Sequence, residues 1–373
     1  MKVPTSDRLH RLHAEQGQSP WLDNLRRGWI TSGHLAALRD AGVRGLTSNP
    51  SIFQKAIEGT SDYDEQYAAL VRDGVDATTG YWSLVTRDID AALDVFAPVH
   101  ERSGGEDGYV SLEVDPSLAH DTDGTLAAAR GIARAIDRAN LMVKVPATEA
   151  GLPAIRALVA EGCNVNVTLI FGLARYRAVA DAYLDGLERL AGTDARRVPS
   201  VAGVASFFVS RVDTEVDRRL EAIGGAALGL RGRAAIAQAR LAYRAWRDAF
   251  SGPRWERLAS LGARAQRPLW ASTSTKNPSY PDTYYVDGLI GPGTVNTLPD
   301  ATLEAFADHG TVARTIDCDD AGAAADWDRI ADAGVDLTDV GEVLEREGVT
   351  AFQKSFSELI DVLRARAADM PRG

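Results

Sequence analysis

The chain has 373 residues, of which 45% are hydrophobic and 25% charged, and its formal net charge is −11. This composition is typical of a globular protein and excludes wholesale disorder, and the length fits one large α/β domain or two ordinary domains. The acidic balance disfavours nucleic acid or an anionic membrane as a partner.

Eight apolar segments of strand length follow a polar lead-in at residues 1–20, and helical patterns separate nearly all of them. The predicted strands are 19–24, 43–50, 109–116, 141–146, 164–171, 198–209, 268–273 and 283–290. Strand–helix alternation indicates a parallel sheet, and eight repeats favour a closed (β/α)8 barrel, the TIM-barrel class of α/β fold. A doubly wound open sheet is the alternative, but no Gly-x-Gly-x-x-Gly turn opens a helix.

The C-terminal tail, residues 317–373, is predicted to consist of helices at 321–333, 340–347 and 352–368 that pack on the barrel. No linker to a second domain is evident, so residues 1–373 are expected to form a single domain. Apolar runs of membrane-spanning length are absent, as is the apolar core of a signal peptide. Cys163 and Cys318 are too few for a disulfide framework or a zinc site. We therefore expect a cytoplasmic protein.

The fourth predicted strand is apolar on both faces except for Lys144, and Pro146 closes it because proline has no N–H for a sheet ladder. Burial favours the neutral amine, a nucleophile that can form a Schiff base with a carbonyl substrate. The alternative is a lysine that snorkels to water or pairs with a carboxylate. Only five of the 41 basic residues are lysines. Lysine in this strand therefore indicates a function that the permanently protonated arginine cannot perform.

Polar side chains cluster at or near the predicted C-terminal ends of strands, where barrel enzymes place their active sites. These residues are Asp23, Asn49, Glu113, Lys144, Asn166, Thr168, Ser206 and Lys276. Glu113 needs a partner because apolar residues flank it. Asn49 fits a helix cap as well as a catalytic role, and Thr168 fits an ordinary strand residue. No histidine lies in a strand motif, so acid–base chemistry falls to carboxylates. The set predicts a Schiff-base site with proton donors and hydroxyl-binding amides.

Five segments give the chain a family resemblance: 45–51 (GLTSNPS), 111–115 (SLEVD), 143–148 (VKVPAT), 164–171 (NVNVTLIF) and 206–211 (SFFVSR). In this order they resemble transaldolase, a family of class I aldolase-type enzymes in the pentose phosphate pathway. The overall length, the segment 270–278 (WASTSTKNP) and the helical tail are similar to the longer bacterial branch of that family. The resemblance implies a (β/α)8 barrel with additional C-terminal helices. It also implies a transferase that moves a dihydroxyacetone unit from a ketose phosphate to an aldose phosphate.

The resemblance also implies roles for individual residues. Lys144 on the fourth strand is the Schiff-base lysine, Glu113 acts as acid and base through a water, and Asp23 handles the proton of the substrate hydroxyl. The implied substrate-binding residues are Asn49 and Asn166 for the dihydroxyacetone unit, Thr168 and Ser206 for the lysine and its water, Phe208 for the pocket wall, and Arg211, Lys276 and Ser274 for the phosphate. Ser272 is the alternative to Ser274, and Lys276 stands where the family usually has an arginine.

Two other functions stay open at this point. One is a Schiff-base aldolase that releases the three-carbon unit, and the other is a barrel that binds sugar phosphates only to regulate another process. An enamine on Lys144 stabilises the carbanion left by carbon–carbon cleavage, so neither a metal nor a cofactor is expected. The expected partners are small sugar phosphates, without nucleic acid or membrane. A homodimer is one candidate for the oligomeric state, which the sequence leaves open.

Overall fold

A ring of parallel strands forms the centre of the protein, whose computed structural model describes residues 1–369. The strands are β1 (Gln18–Leu22), β2 (Val110–Glu113), β3 (Leu141–Pro146), β4 (Val165–Ile170), β5 (Gly203–Phe208), β6 (Arg267–Ala271) and β7 (Thr294–Leu298). They pair in the order β1-β7-β6-β5-β4-β3-β2. Every residue of these strands is buried, because helices cover the outside of the ring and side chains fill its interior.

A short extended segment around Leu46 closes the ring as an eighth strand. Leu46 makes parallel bridges to Leu22 of β1 on one side and to Val110 of β2 on the other. Its N–H donates to the carbonyl of Tyr109 at 2.9 Å, and its carbonyl accepts from the N–H of Ser111 at 3.1 Å. The expected (β/α)8 barrel is confirmed, and in chain order the strand that carries lysine, β3, is the fourth around it.

Helices surround the ring and continue into the C-terminal tail. They are α1 (Arg8–Gln16), α2 (Arg27–Thr31), α3 (His34–Asp40), α4 (Pro50–Glu58), α5 (Asp64–Arg72), α6 (Ala77–Arg102), α7 (Thr122–Ile136), α8 (Gly151–Ala160), α9 (Leu173–Asp194), α10 (Ser210–Ile223), α11 (Ala234–Ala249), α12 (Gly252–Ser260), α13 (Tyr284–Asp287), α14 (Asp300–His309), α15 (Asp320–Asp332) and α16 (Leu337–Asp369). Short 3-10 helices lie at Pro116–Leu118, Ala195–Ser200 and Gly225–Leu230. No helix within residues 1–369 is both long and apolar enough to cross a membrane.

The predicted eighth strand at 283–290 is wrong. Its aromatic and branched residues fit strand composition, but the segment contains α13, and the Thr283 hydroxyl donates to the Asp287 carboxylate one helical turn later at 2.8 Å. The last strand of the barrel is instead β7, whose sequence TVNTL carries three polar residues. Those residues are buried inside the protein, so the strand lacks the apolar run by which most strands were predicted.

Both ends of the chain differ from the prediction. The lead-in at 1–20 contains α1 and most of β1. The helices predicted at 340–347 and 352–368 form one continuous helix, α16, that runs through Gly348. A glycine inside a helix costs only about 1 kcal/mol, which tertiary packing readily offsets. A Cβ at Gly348 would lie 3.0 Å from Leu169, so glycine lets α16 approach the end of β4 closely.

Candidate active site

Three neighbouring strands place Glu113, Lys144 and Asn166 side by side. In the parallel register, Glu113 pairs with Lys144, and Lys144 pairs with Asn166. All three side chains are buried. The ammonium nitrogen of Lys144 lies 3.1 Å from Oε2 of Glu113 and donates a hydrogen bond to the carbonyl of Ser48 at 2.9 Å. Lys144 therefore does not snorkel to water; it is held inside the barrel next to a carboxylate.

The surroundings of Glu113 change the pKa of its carboxyl group. Burial raises its pKa above the ordinary value, and the positive charge of Lys144 opposes that shift. Although Nζ of Lys144 is close, Oε2 of Glu113 accepts no hydrogen bond of good geometry within residues 1–369. This oxygen therefore keeps an acceptor position for a water or a substrate proton.

A second carboxylate, Asp23, lies directly after β1. The hydroxyl of Thr47 donates to Oδ1 of Asp23 at 2.9 Å and is also 2.6 Å from the hydroxyl of Thr297. Burial raises the pKa of Asp23, and the nearby charge of Lys144 partly counteracts this effect. A carboxyl whose pKa is raised toward neutral pH is suited to accept and return a proton during a reaction.

A cavity of about 310 Å³ opens at the C-terminal end of the barrel and contains the lysine. Its volume is at the lower end of the range of roughly 300–1,000 Å³ for small-molecule sites. The predicted site residues that line it are Asp23, Asn49, Lys144, Thr168, Ser206, Phe208, Arg211, Ser272, Ser274 and Lys276. Glu113 and Asn166 are not among the lining residues. Asn166 accepts a hydrogen bond from Ser206 at 2.7 Å and donates one to Ser111 at 3.0 Å, so it contacts the cavity wall from behind.

Asn49 and Thr168 reach the cavity through particular backbone features. Asn49 caps α4 by accepting the N–H of Ile52 at 3.0 Å, as predicted, and it lines the cavity as well. The pairing of β4 with β5 shifts register between Val167 and Ile170. Within this irregularity Leu169 has φ of 60°, and such a bulge re-aims neighbouring side chains. The buried hydroxyl of Thr168 has no hydrogen-bond partner within residues 1–369.

Positive charges gather at one side of the cavity. Arg211 is in the first turn of α10, directly after β5, with its guanidinium carbon 5.6 Å from the centre of the Phe208 ring. Lys276, in the loop after β6, donates to the Ser274 hydroxyl at 2.8 Å. Desolvation lowers the pKa of Lys276, and the charges of Arg211 and Lys55 lower it further. Lys276 is therefore near enough to both Arg211 and Lys55 to be affected by their charges.

The two candidate serines are distinguished by their contacts. Ser272 has φ of 56° and its hydroxyl is 3.0 Å from that of Ser210, whereas the Ser274 hydroxyl is bonded to Lys276. Ser274 is therefore the serine that is associated with the cationic part of the cavity.

The sequence analysis missed several lining residues: Thr47, Ser51, Ile52, Lys55, Thr297, Pro299 and Phe352. Thr47 and Ser51 lie inside the segment 45–51, which already pointed to the site. The scarcity of lysine was a signal for Lys55. Phe352 could not be found by pattern, because the tail helix α16 brings it to the barrel. Its ring centre lies 5.8 Å from Nζ of Lys144.

The fold and the site together define the class: a (β/α)8 barrel with the buried lysine and carboxylates that lysine-dependent aldol chemistry requires. Comparison with known proteins agrees. The family described as Transaldolase/Fructose-6-phosphate aldolase matches residues 20–363.

Two curated relatives illustrate how far the similarity extends. A protein named Transaldolase from Parafrankia sp. is 54% identical, with 93% of this chain and 95% of the relative covered. A Transaldolase from Acidothermus cellulolyticus is 53% identical, with 95% of each chain covered. The chain belongs to the transaldolase/fructose-6-phosphate aldolase family.

Proposed function

We propose that this protein is a transaldolase that works through a Schiff base on Lys144 in the non-oxidative pentose phosphate pathway. It transfers a dihydroxyacetone unit from sedoheptulose 7-phosphate or fructose 6-phosphate to glyceraldehyde 3-phosphate or erythrose 4-phosphate. The observation that carries the proposal is the buried contact of 3.1 Å between Lys144 and Glu113, next to a cavity that also contains Asp23 and a group of cations.

The first step joins the donor ketose to the protein. Lys144 gives a proton to the neighbouring Glu113 carboxylate, its free amine attacks the C2 carbonyl, and the carbinolamine loses its oxygen as water to give the imine. Glu113, behind the cavity wall, then returns that proton through a water for the dehydration, which suits a carboxyl whose pKa burial has raised. Thr168 and Ser206, which line the cavity, position the lysine and that water.

The second step breaks the C3–C4 bond. Asp23 takes the proton of the C4 hydroxyl, an aldose phosphate leaves as the aldehyde, and the electron pair of the broken bond remains in an enamine on Lys144. The acceptor aldehyde then forms the new C3–C4 bond, Asp23 returns the proton, and hydrolysis of the imine frees the product ketose. Because the enamine holds the carbanion, this route needs no metal or cofactor.

The remaining cavity residues bind the sugar. Asn49 and Asn166 orient the hydroxyls of the dihydroxyacetone unit. Asn166 does so through Ser206, which lines the cavity and donates a hydrogen bond to Asn166. Phe208 forms part of the pocket wall. Arg211, Lys276 and Ser274 bind the phosphate, which suits their position together at one side of the cavity.

The second candidate function is that of a fructose-6-phosphate aldolase, which releases the three-carbon unit, and the family description covers both activities. Incubation with fructose 6-phosphate alone, followed by erythrose 4-phosphate, separates them. A transaldolase releases little free dihydroxyacetone in the first stage and forms sedoheptulose 7-phosphate in the second. Steady release of dihydroxyacetone without an acceptor would identify an aldolase, and absence of both products would refute the enzymatic proposal.

We further propose that residues 1–373 act as one domain, because the tail helix α16 supplies Phe352 to the cavity of the barrel. The proposed partners are sugar phosphates alone, since the net charge of −11 disfavours nucleic acid. Because sugar-phosphate metabolism takes place in the cytoplasm, we propose that the protein is cytoplasmic. A homodimer is the oligomer that we propose to test first, by light scattering.

A further inference from the structure

Lys55 is a third cation of the cavity, and the reaction described above does not use it. It lies in the second turn of α4 and lines the same cavity as Arg211 and Lys276. Three of the five lysines of the chain, Lys55, Lys144 and Lys276, thus line one cavity. Most basic residues of the chain are arginines, so the presence of three lysines in one cavity indicates that they serve a common ligand.

Within the described part of the chain, the charge of Lys55 is not neutralised by a neighbouring carboxylate, so it can interact with an anionic ligand. It has no carboxylate within 4.0 Å among residues 1–369, whereas Lys144 pairs with Glu113 and Lys354 with Glu358. The nearby carboxylates of Glu58 and Glu358 instead accept hydrogen bonds from Gln54, at 3.3 and 3.2 Å.

The helix that carries Lys55 is fixed at both its start and its side. Asn49 caps α4, and the hydroxyl of Ser51 is 2.7 Å from that of Ser355 on α16. The lysine therefore projects from a rigid element, so its backbone is already ordered before a ligand binds.

We propose that Lys55 completes a three-cation subsite for the phosphate group of the donor and acceptor sugars, together with Arg211 and Lys276. The inference rests on the proposed function, and it names a residue that makes the enzyme prefer phosphorylated sugars to uncharged ones. All three residues line one cavity, and the charges of Lys55 and Arg211 add to desolvation in lowering the pKa of Lys276. A phosphate dianion offsets those charges and gains charge-assisted hydrogen bonds, whereas an uncharged sugar does neither.

The test compares Lys55→Gln, Lys55→Arg and wild type. The first readout is the KM for fructose 6-phosphate, with kcat measured separately. The second is the rate at which borohydride traps unphosphorylated dihydroxyacetone on Lys144. We expect Lys55→Gln to raise the KM about fivefold, because the side chain is exposed and its charge is partly screened. Trapping of dihydroxyacetone should change by less than twofold, and Lys55→Arg should restore most of the affinity.

Lys354→Gln is the matched control, since Lys354 is an exposed lysine on α16 that does not line the cavity. An active Lys55→Gln enzyme with a wild-type KM would overturn the inference. So would an equal loss with fructose 6-phosphate and dihydroxyacetone, because it would indicate a structural role. Failure of the proposed function is distinguishable, because wild type itself would then show no transfer to erythrose 4-phosphate.

Discussion

Glu113 and Lys144 are direct neighbours across two parallel strands, and their side-chain charges lie 3.1 Å apart with almost no exposure to solvent. The register of β2 against β3 creates this contact, so no loop movement is needed to assemble it. A lysine and a carboxylate are therefore preorganised on rigid elements, which is how barrel enzymes keep catalytic geometry fixed.

Replacing Lys144 by arginine tests its role as nucleophile. Arginine keeps the positive charge and pairs with carboxylates at least as well, but it cannot become a free amine near neutral pH. We expect loss of transfer on the order of 10⁴-fold or more, because covalent catalysis is removed. Circular dichroism checks the fold. Borohydride reduction with fructose 6-phosphate should label wild type at Lys144 and leave the variant unlabelled, and a label on Lys55 or Lys276 would contradict the assignment.

Asp23→Asn separates carbon–carbon cleavage from Schiff-base formation. An amide keeps the hydrogen bond from Thr47 but cannot take the proton of the C4 hydroxyl. We expect transfer to fall by roughly 10²–10⁴-fold, the usual contribution of general base catalysis. Borohydride trapping of fructose 6-phosphate at Lys144 should persist, with the intact six-carbon adduct seen by mass spectrometry. If trapping fell in parallel with transfer, Asp23 would instead serve the first step.

Arg211→Ala and Lys276→Ala test the phosphate assignment. Each removes one charge from the same side of the cavity. We expect the KM for fructose 6-phosphate to rise on the order of tenfold or more in both variants, because charge-assisted contacts to the phosphate are lost. Trapping of dihydroxyacetone should be affected much less. Equal losses for phosphorylated and unphosphorylated compounds would count against a phosphate site.

A buried carboxyl outside the active site predicts a pH dependence of stability. Asp213 on α10 accepts the N–H of Ala235 at 2.7 Å and the hydroxyl of Tyr285 at 2.9 Å, and burial raises its pKa to about 7. Between its ordinary range near pH 4 and about pH 7, the folded protein holds a proton that the unfolded chain releases. The free energy of unfolding therefore falls as pH rises through this window and levels off above it.

Asp213→Asn removes that titration and preserves the shape of the side chain. The stability of wild type relative to the variant should fall by about 1 kcal/mol per pH unit between pH 5 and 7. Thermal melts at pH 5, 6, 7 and 8 measure this difference. Asp328→Asn, on the exposed side of α15, is the control and should follow wild type at every pH. Parallel curves for Asp213→Asn and wild type would show that the carboxyl does not titrate in this range.

The barrel and most of the site were predictable because both depend on local patterns. Strand–helix alternation is a property of short windows of sequence, and it indicated the parallel barrel. Glu113, Lys144 and Asn166 lie at similar depths in apolar strands of similar length, so a parallel register brings them to one level. The segments that resemble the family then pointed to the same three residues.

Local pattern was insufficient where long-range pairing decides the structure. The predicted strand at 43–50 is reduced to single bridges from Leu46 to β1 and β2, because the length of this strand depends on how its neighbours pair. The strand at Thr294–Leu298 contains polar residues that only the barrel interior accommodates, so the more apolar segment 283–290 was chosen in its place.

The sequence by itself determined the fold class, the lysine and the carboxylates, because burial of a charged residue in an apolar strand is visible without a structure. Only the tertiary structure decided which side chains share the cavity. Lys55 comes from α4, and Phe352 comes from a tail helix more than 200 residues after Lys144. Their positions depend on how α4 and α16 dock on the barrel and on each other. Such docking is the sum of many weak contacts between distant segments, and it leaves no periodic trace in the sequence.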